Sequence, residues 1–214
     1  MKLRFVQRRE TWVLTFYGWL LVLTCSVVIL FGFCANLHRF FAISEPIQAE
    51  ALVVEGWLED KTVTSAIAEF NTRNYKVLIT TGIELPIGYY LSGYKTFAEV
   101  SAATLKQAGF NPGQLVVVPA KDAKRDRTFT AALALKDWLD QSPIRSINLY
   151  SSGTHARRSR MLYQRALGQA YQIGVIAADD PEYETRDWWK SSAGVKKVLI
   201  ELVSYVYTIV FNRE

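Results

Sequence analysis

Cysteine is missing from most of this 214-residue sequence, because both cysteines, Cys25 and Cys34, lie in one long apolar run near the N-terminus. A disulfide framework, a cysteine nucleophile and a Cys-type zinc site are therefore excluded for the rest of the chain. Histidine is also scarce, and only His155 lies well clear of the apolar run. This excludes a multi-histidine metal centre and predicts no metal site, although carboxylates remain available for Mg²⁺ or Ca²⁺.

Motifs of several common enzymes are absent as well. No G-x-G-x-x-G follows the first predicted strand, and no G-x-S-x-G occurs anywhere, so neither a standard dinucleotide site nor a nucleophile elbow is supported. Residues 88–96 only loosely resemble a Walker A loop, since Tyr94 separates the glycine from the lysine. The sequence alone does not identify a cofactor, which stays unknown.

The longest apolar feature runs from Trp12 to Ala35 without a charged residue. As a helix it would be about 36 Å long, enough to cross a hydrocarbon core of about 30 Å. The apolar region of a cleaved signal peptide is normally only about 7–15 residues long. We therefore expect an uncleaved transmembrane anchor over residues 12–35 and membrane association through it.

The flanking charges predict the orientation of this anchor. Four basic residues precede the run, in a segment 1–11 that the positive-inside rule places in the cytoplasm. The remaining chain would then lie on the periplasmic or extracytoplasmic side of the inner (plasma) membrane. Four of the 25 basic and one of the 20 acidic residues fall in residues 1–35, which leaves 21 basic and 19 acidic residues beyond them. This near balance gives no reason to expect a nucleic-acid partner.

After a polar connector over residues 36–50, short apolar runs alternate with helical patterns through residues 51–214. Strands are predicted at 51–54, 76–80, 114–118, 146–150 and 171–177, and helices at 61–73, 96–108, 127–140, 156–167 and 195–211. This alternation predicts a Rossmann-like three-layer α/β/α sandwich with a mostly parallel sheet. The last helix is interrupted by Glu201 and has too short an apolar run to span, so we expect it to pack on the sheet.

In such a sheet, ligands bind beyond the carboxyl ends of the strands. Four segments meet this description, and we take their polar and glycine residues as candidate site residues. The ligand-binding candidates are Gly56, Thr81, Gly82, Arg127, Thr128, Ser152, Gly153, Arg157 and Arg158, and the catalytic candidates are His155, Glu55, Glu99 and Asp126.

His155 is the most informative of these, because it lies between a predicted strand and a predicted helix and is followed by Arg157 and Arg158. Helix N-termini favour anions, and arginines there can bind phosphate or carboxylate oxygens in a bidentate manner. A solvated basic turn with a hydrogen-bonded histidine is an equally good interpretation of the same residues.

The carboxylates also have ordinary alternatives. Asp126 or Thr128 can act as an N-cap, and Glu99 can be an exposed helical residue. Glu55 is harder to explain in this way, since a carboxylate at the end of a buried strand needs a partner or a function.

Taken together, these segments resemble the SanA/YdcF/ElyC-like family of bacterial envelope proteins. The resemblance covers about residues 50–205 and rests on the following segments: residues 51–56, 80–82, Glu99 with Ala102, 126–128 with Ala131 and Ala132, and 155–158. Two features depart from the common pattern: Glu55-Gly56-Trp57 replaces a glycine run, and Arg157 stands where the family often has another residue.

The resemblance implies a Rossmann-like fold and a role in envelope integrity, in peptidoglycan or lipid-carrier metabolism. We expect an enzyme that acts on a phosphorylated envelope intermediate, with His155 as general acid or nucleophile and the arginines on phosphate oxygens. The alternative is a non-catalytic envelope protein that binds an anionic ligand or a partner protein.

Overall fold

The structure, a computed structural model, describes residues 11–121, 123 and 126–211. The chain divides into two compact units, Met1–Leu37 and His38–Glu214. Helix α1 (Phe16–Phe41) makes up most of the first unit and is the one helix, among the described residues, that is long and apolar enough to cross a membrane. The helix begins at Phe16 and continues to Phe41, so it overlaps most of the predicted anchor 12–35. His38 and Arg39 are part of its last turn, since polar side chains do not interrupt the backbone hydrogen bonds of a helix.

The second unit alternates strands and helices as the sequence predicts. In chain order its elements are β1 (Ala51–Glu55), α2 (Asp60–Thr72), β2 (Val77–Gly82), α3 (Phe97–Gln107), β3 (Leu115–Pro119), α4 (Arg127–Asp140), β4 (Ser146–Ser152), α5 (Ala156–Leu167), β5 (Gln172–Ala178) and α6 (Ser192–Phe211). Every predicted element is present, and α4 and α5 have the predicted bounds.

All strand pairs in the five-stranded sheet are parallel, in the order β3-β2-β1-β4-β5. One apolar core contains α4 and α5 residues, including Leu135 and Tyr163, and the other contains α2 and α3 residues, including Val63 and Leu105. Helices therefore cover both faces of the sheet, and the predicted Rossmann-like α/β fold is confirmed. The chain reverses direction across the sheet between β1 and β4, which is the switch point where α/β proteins of this class bind ligands.

The connector packs along strand β5 and is more than a polar linker. Glu45 and Val175 exchange both backbone hydrogen bonds, with N···O distances of 2.8 and 3.2 Å. The buried Asn148 side chain accepts from Ile47 N and donates to Ile47 O, each at 2.9 Å. A Cβ at Gly174 would lie 2.0 Å from Asn148 Oδ1, so only glycine leaves room for this amide. The connector thus covers the outer edge of the sheet.

Helix α6 completes the domain by packing one side mainly against the turns Thr185–Lys190 and Gly153–His155, and its side chains also reach α5. Gly194, Val198, Glu201 and Thr208 are buried on this side. Arg165 of α5 donates to the backbone oxygen of Thr208 at 3.4 Å. Because Glu201 lies on the inward side, its carboxylate reaches the end of the sheet where the candidate site lies.

Candidate functional site

A cavity with a volume of about 890 Å³ lies at the carboxyl ends of β1, β2 and β4. Its walls include eight of the predicted site residues: Glu55, Thr81, Gly82, Arg127, Thr128, Ser152, His155 and Arg158. The strand ends that the sequence singles out therefore converge on one cavity at the switch point of the sheet.

Glu55 ends strand β1 and is only 2% exposed. Its carboxylate accepts hydrogen bonds from the hydroxyl of Ser159, at 2.9 and 3.0 Å, and from that of Ser151. Both serines are fully buried, one at the end of β4 and one on α5. These hydroxyl donors supply the hydrogen bonds that a buried carboxylate needs to offset its loss of water, and they fix its orientation under the cavity.

The hydroxyl of Tyr163 lies beside this carboxylate and forms a hydrogen bond of 3.0 Å with Thr81 Oγ1. Burial, together with the nearby charge of Glu55, raises the pKa of Tyr163 far above its usual value. Tyr163 therefore stays protonated and acts here as a neutral hydrogen-bonding group.

His155 forms the centre of a second polar cluster. It is 8% exposed, and its Nδ1 lies 3.1 Å from Glu201 Oε2. Arg158 donates to both oxygens of the same carboxylate, through Nε at 2.6 Å and Nη2 at 3.0 Å. Burial acts to raise the pKa of Glu201, but hydrogen bonds with His155 and Arg158, together with the charge of Arg158, outweigh it and hold that pKa below its usual value. Glu201 is therefore an ionised partner for both residues.

The contacts of His155 define two proton arrangements. Nδ1 also lies 2.9 Å from Arg158 Nη2, which can only donate. A neutral imidazole whose Nδ1–H donates to Glu201 presents an unprotonated Nε2 on its other side. If Nδ1 instead accepts from Arg158, then Nε2 carries the proton. The first arrangement suits a base or nucleophile, and the second suits a hydrogen-bond donor.

Nε2 points towards the first turn of α4, where Thr128 Oγ1 lies 3.4 Å away. Arg127, the first residue of α4, is exposed at the rim of the cavity. On the opposite side the Trp57 ring packs edge-on against the imidazole, with 5.0 Å between ring centres. The imidazole is thus held between an aromatic ring and a helix N-terminus, whose dipole favours a bound anion.

Two glycines allow the strand ends to pack tightly behind this arrangement. A Cβ at Gly56 would lie 2.5 Å from the backbone oxygen of Phe97, and one at Gly82 would lie 2.7 Å from Phe97 Cβ. Both distances are shorter than any ordinary carbon contact. Gly56 and Gly82 therefore contribute close backbone approach at the floor of the cavity, as expected of glycines at a strand end.

One side of the cavity wall carries three carboxylates and one lysine, which offsets part of their charge. Glu59, Asp180 and Glu182 place their carboxylates close enough together to hold a metal ion. The Lys197 ammonium lies among them, 2.8 Å from Asp180 and 2.7 Å from Glu182. Although burial acts to lower the pKa of Lys197, these carboxylates raise it above its usual value. A protonated lysine therefore already balances charge where a cation would bind.

Five predicted site residues are not in the cavity wall: Gly56, which packs behind it, and four others. Glu99 accepts backbone hydrogen bonds from Lys95 at 2.6 Å and from Thr96 at 2.9 Å, and forms a capping box at the start of α3. These bonds hold its pKa below the usual value. Arg157 turns away and lies over the ring of Phe40, with 4.2 Å to the ring centre.

The other two lie closer to the cavity. Gly153 is buried in the turn behind the cavity wall. Asp126 occupies the N-cap position of α4 in a left-handed conformation (φ 53°) and lines a smaller cavity of about 550 Å³ beside α6. Asp126 therefore has the N-cap position without a side-chain capping bond, and Glu99 is a capping residue of α3.

Sequence reasoning missed the partners that hold the two polar clusters together. Glu201 served only as a reason to exclude a second membrane span, although it was the single carboxylate in an apolar helix. That isolation was the available signal, since an acidic residue among apolar ones is costly to bury without a partner. Ser151 and Ser159 gave no comparable signal, because serines occur in every kind of surface and turn.

Fold and cavity together define this chain as a Rossmann-like α/β domain with a switch-point pocket, preceded by a helix that is long and apolar enough to cross a membrane. Comparison with protein-family models gives no match to this chain, and comparison with curated proteins gives none either. The family resemblance in the sequence therefore remains a prediction.

Proposed function

We propose that this chain is a membrane-anchored enzyme of the cell envelope that acts on a phosphorylated intermediate, in lipid-carrier or peptidoglycan-related metabolism. The observation that carries the proposal is the position of His155 in the cavity wall. A buried carboxylate orients one of its nitrogens, and the other faces a helix N-terminus. The envelope context comes from the resemblance to the SanA/YdcF/ElyC-like family.

Recognition of a phosphate group is supported by the residues around Nε2. Arg127 lies at the rim, and the first turn of α4 favours negative charge. Arg158 uses Nε and Nη2 for Glu201 and His155, which leaves the two N–H groups on Nη1 outside these bonds. Arginine is well suited to this task because its planar guanidinium matches phosphate oxygens.

The catalytic step in this proposal is hydrolysis with His155 as general base and acid. With Nδ1–H donated to Glu201, Nε2 takes a proton from a water molecule whose oxygen attacks phosphorus. The bond from phosphorus to the leaving oxygen breaks, and Nε2 returns the proton to that oxygen. Glu201 stabilises the imidazolium formed between these two events, as an ionised carboxylate does in a catalytic triad.

Binding without catalysis is the second candidate, and one observation favours it. Arg158 Nη2 lies closer to His155 Nδ1 than Glu201 does, at 2.9 against 3.1 Å. In that proton arrangement Nε2–H is a donor and His155 joins the arginines in holding an anion. The domain would then recognise an anionic envelope ligand or partner protein with no turnover.

A phosphate-release assay on the full-length protein in detergent distinguishes the two. The panel contains undecaprenyl pyrophosphate and nucleotide sugars, each with and without Mg²⁺. His155→Gln is compared with His38→Gln, which makes the same change at a buried histidine bonded to Tyr183. The enzyme proposal expects turnover to fall by about 10²–10⁴-fold in His155→Gln and to persist in His38→Gln.

The other outcomes decide against catalysis. Tight binding of a panel member with no release of phosphate, weakened by Arg158→Ala, supports the binding function instead. Absence of both binding and turnover across the panel contradicts the proposed substrate class.

A further inference from the structure

The outward face of α6 is apolar from Leu199 to Val210. Leu199, Val203, Val206 and Val210 recur at helical spacing, and between 47% and 69% of each side chain is exposed. We define these four residues as the outer face of α6. The inward side of the same helix carries its only carboxylate, Glu201. A contiguous apolar patch of this kind is normally covered by protein or lipid, and this domain covers only the other side of the helix.

The position of α6 indicates what covers the outer face. Phe40 and Phe41, the last residues of α1, pack edge-on against Tyr205, with ring centres 5.6 Å apart in both cases. Tyr205 lies in the same half of α6 as Val206 and Val210. The outer face therefore lies within about one helix diameter of the point where the chain leaves the helix that would span the membrane.

From this juxtaposition we infer that the outer face of α6 docks on the lipid bilayer near Phe40 and Phe41. The helix lies along the membrane surface, with its valines among the first carbons of the acyl chains. Amphipathic helices that bind in this way bury their apolar face about 5–10 Å into the boundary between headgroups and chains. No carboxylate of α6 opposes anionic headgroups, since Glu201 faces inward. The inference rests on the anchoring part of the proposed function.

Spin-label accessibility on the full-length protein tests this docking. Cys25 and Cys34 are replaced by alanine, and a single cysteine is introduced at Val206 or Val210. The protein is reconstituted in vesicles of phosphatidylethanolamine with a minority of phosphatidylglycerol. Collision rates with oxygen, which concentrates in lipid, are compared with those of a water-soluble nickel chelate. We expect a several-fold higher oxygen-to-nickel ratio at both positions than at Leu133.

Leu133 is a matched control, because it is an apolar residue of α4 that is 41% exposed but lies away from α6. A label at Val28, within α1, reports whether the anchor itself is in the bilayer. Lipid-like values at Val28 with water-like values at Val206 and Val210 would overturn the docking and leave the anchoring intact. Water-like values at Val28 would overturn both.

A third outcome distinguishes lipid from protein. Dipolar broadening between Val206 labels on different molecules would show that a second copy of the chain covers the outer face. That result would also overturn the docking on lipid. The same preparation therefore separates bilayer contact, self-association and plain exposure to water.

Discussion

Replacing Glu201 by glutamine should destabilise the domain because this carboxylate joins α6 to α5. Glutamine keeps the shape of the side chain but removes the negative charge of the carboxylate, which both Arg158 and His155 contact. A hydrogen bond to a charged group contributes about 1.5–3 kcal/mol, against about 1 kcal/mol for a neutral one. Two bonds from Arg158 are weakened in this way, and its side chain is 19% exposed, so water compensates in part. We expect a loss of about 2 kcal/mol in the free energy of unfolding at pH 7.

The pH dependence of this loss follows from the lowered pKa of Glu201 in the folded state. Its ordinary value is 4.5, so the unfolded chain binds a proton at a higher pH than the folded one. The stabilisation is therefore complete above about pH 4.5 and is lost as the pH falls through the folded pKa. The difference between wild type and Glu201→Gln should be largest at neutral pH and shrink below pH 4.5.

Urea unfolding of the full-length protein in detergent micelles, followed by tryptophan fluorescence, measures both quantities. Asp187→Asn is the control, since it removes one charge from an exposed ion pair with Lys190 and should change the free energy by less than about 1 kcal/mol. A Glu201→Gln variant as stable as wild type at pH 7 would refute the reasoning. So would a difference that stays constant from pH 7 to below pH 4.

Three further variants test the packing that supports the site. Gly56→Ala should lower the melting temperature, by a free-energy change of about 1–3 kcal/mol, because the new Cβ would meet the backbone of Phe97; an unchanged melting temperature would contradict the close approach. Asn148→Ala should speed limited proteolysis of the connector around Ile47, whose two hydrogen bonds to this amide are lost, and equal cleavage rates would show that the amide does not hold it. Glu99→Ala removes the helix cap and should lower the free energy of unfolding by about 1 kcal/mol, while any measured turnover stays in place. Loss of turnover without loss of stability would instead favour the catalytic role predicted from the sequence.

The sequence predicts the sheet and its helices well because both depend on local patterns. Short apolar runs alternate with amphipathic segments, and each strand ends within a few residues of its expected position. The same patterns place Thr81, Ser152 and His155 at the carboxyl edge of the sheet, where the fold rule brings them to one cavity.

The partners of these residues depend on contacts between distant parts of the chain, and local patterns do not encode such contacts. Glu201 lies 46 positions from His155, and nothing near it in the sequence indicates that α6 returns to the end of β4. Arg157 and Arg158 look equivalent in sequence, yet successive helical residues point about 100° apart. One reaches the cavity and the other packs on Phe40.

Lys197 gives the cavity an electrostatic property that its composition alone would hide. Without that lysine, Glu59, Asp180 and Glu182 would present three negative charges at the wall and repel a phosphorylated molecule before it reached the arginines. The protonated amine acts as a built-in counterion, so the potential along this approach is less negative. Replacing it by a neutral residue would leave the three carboxylates without this counterion, and the cavity wall would attract divalent cations more strongly.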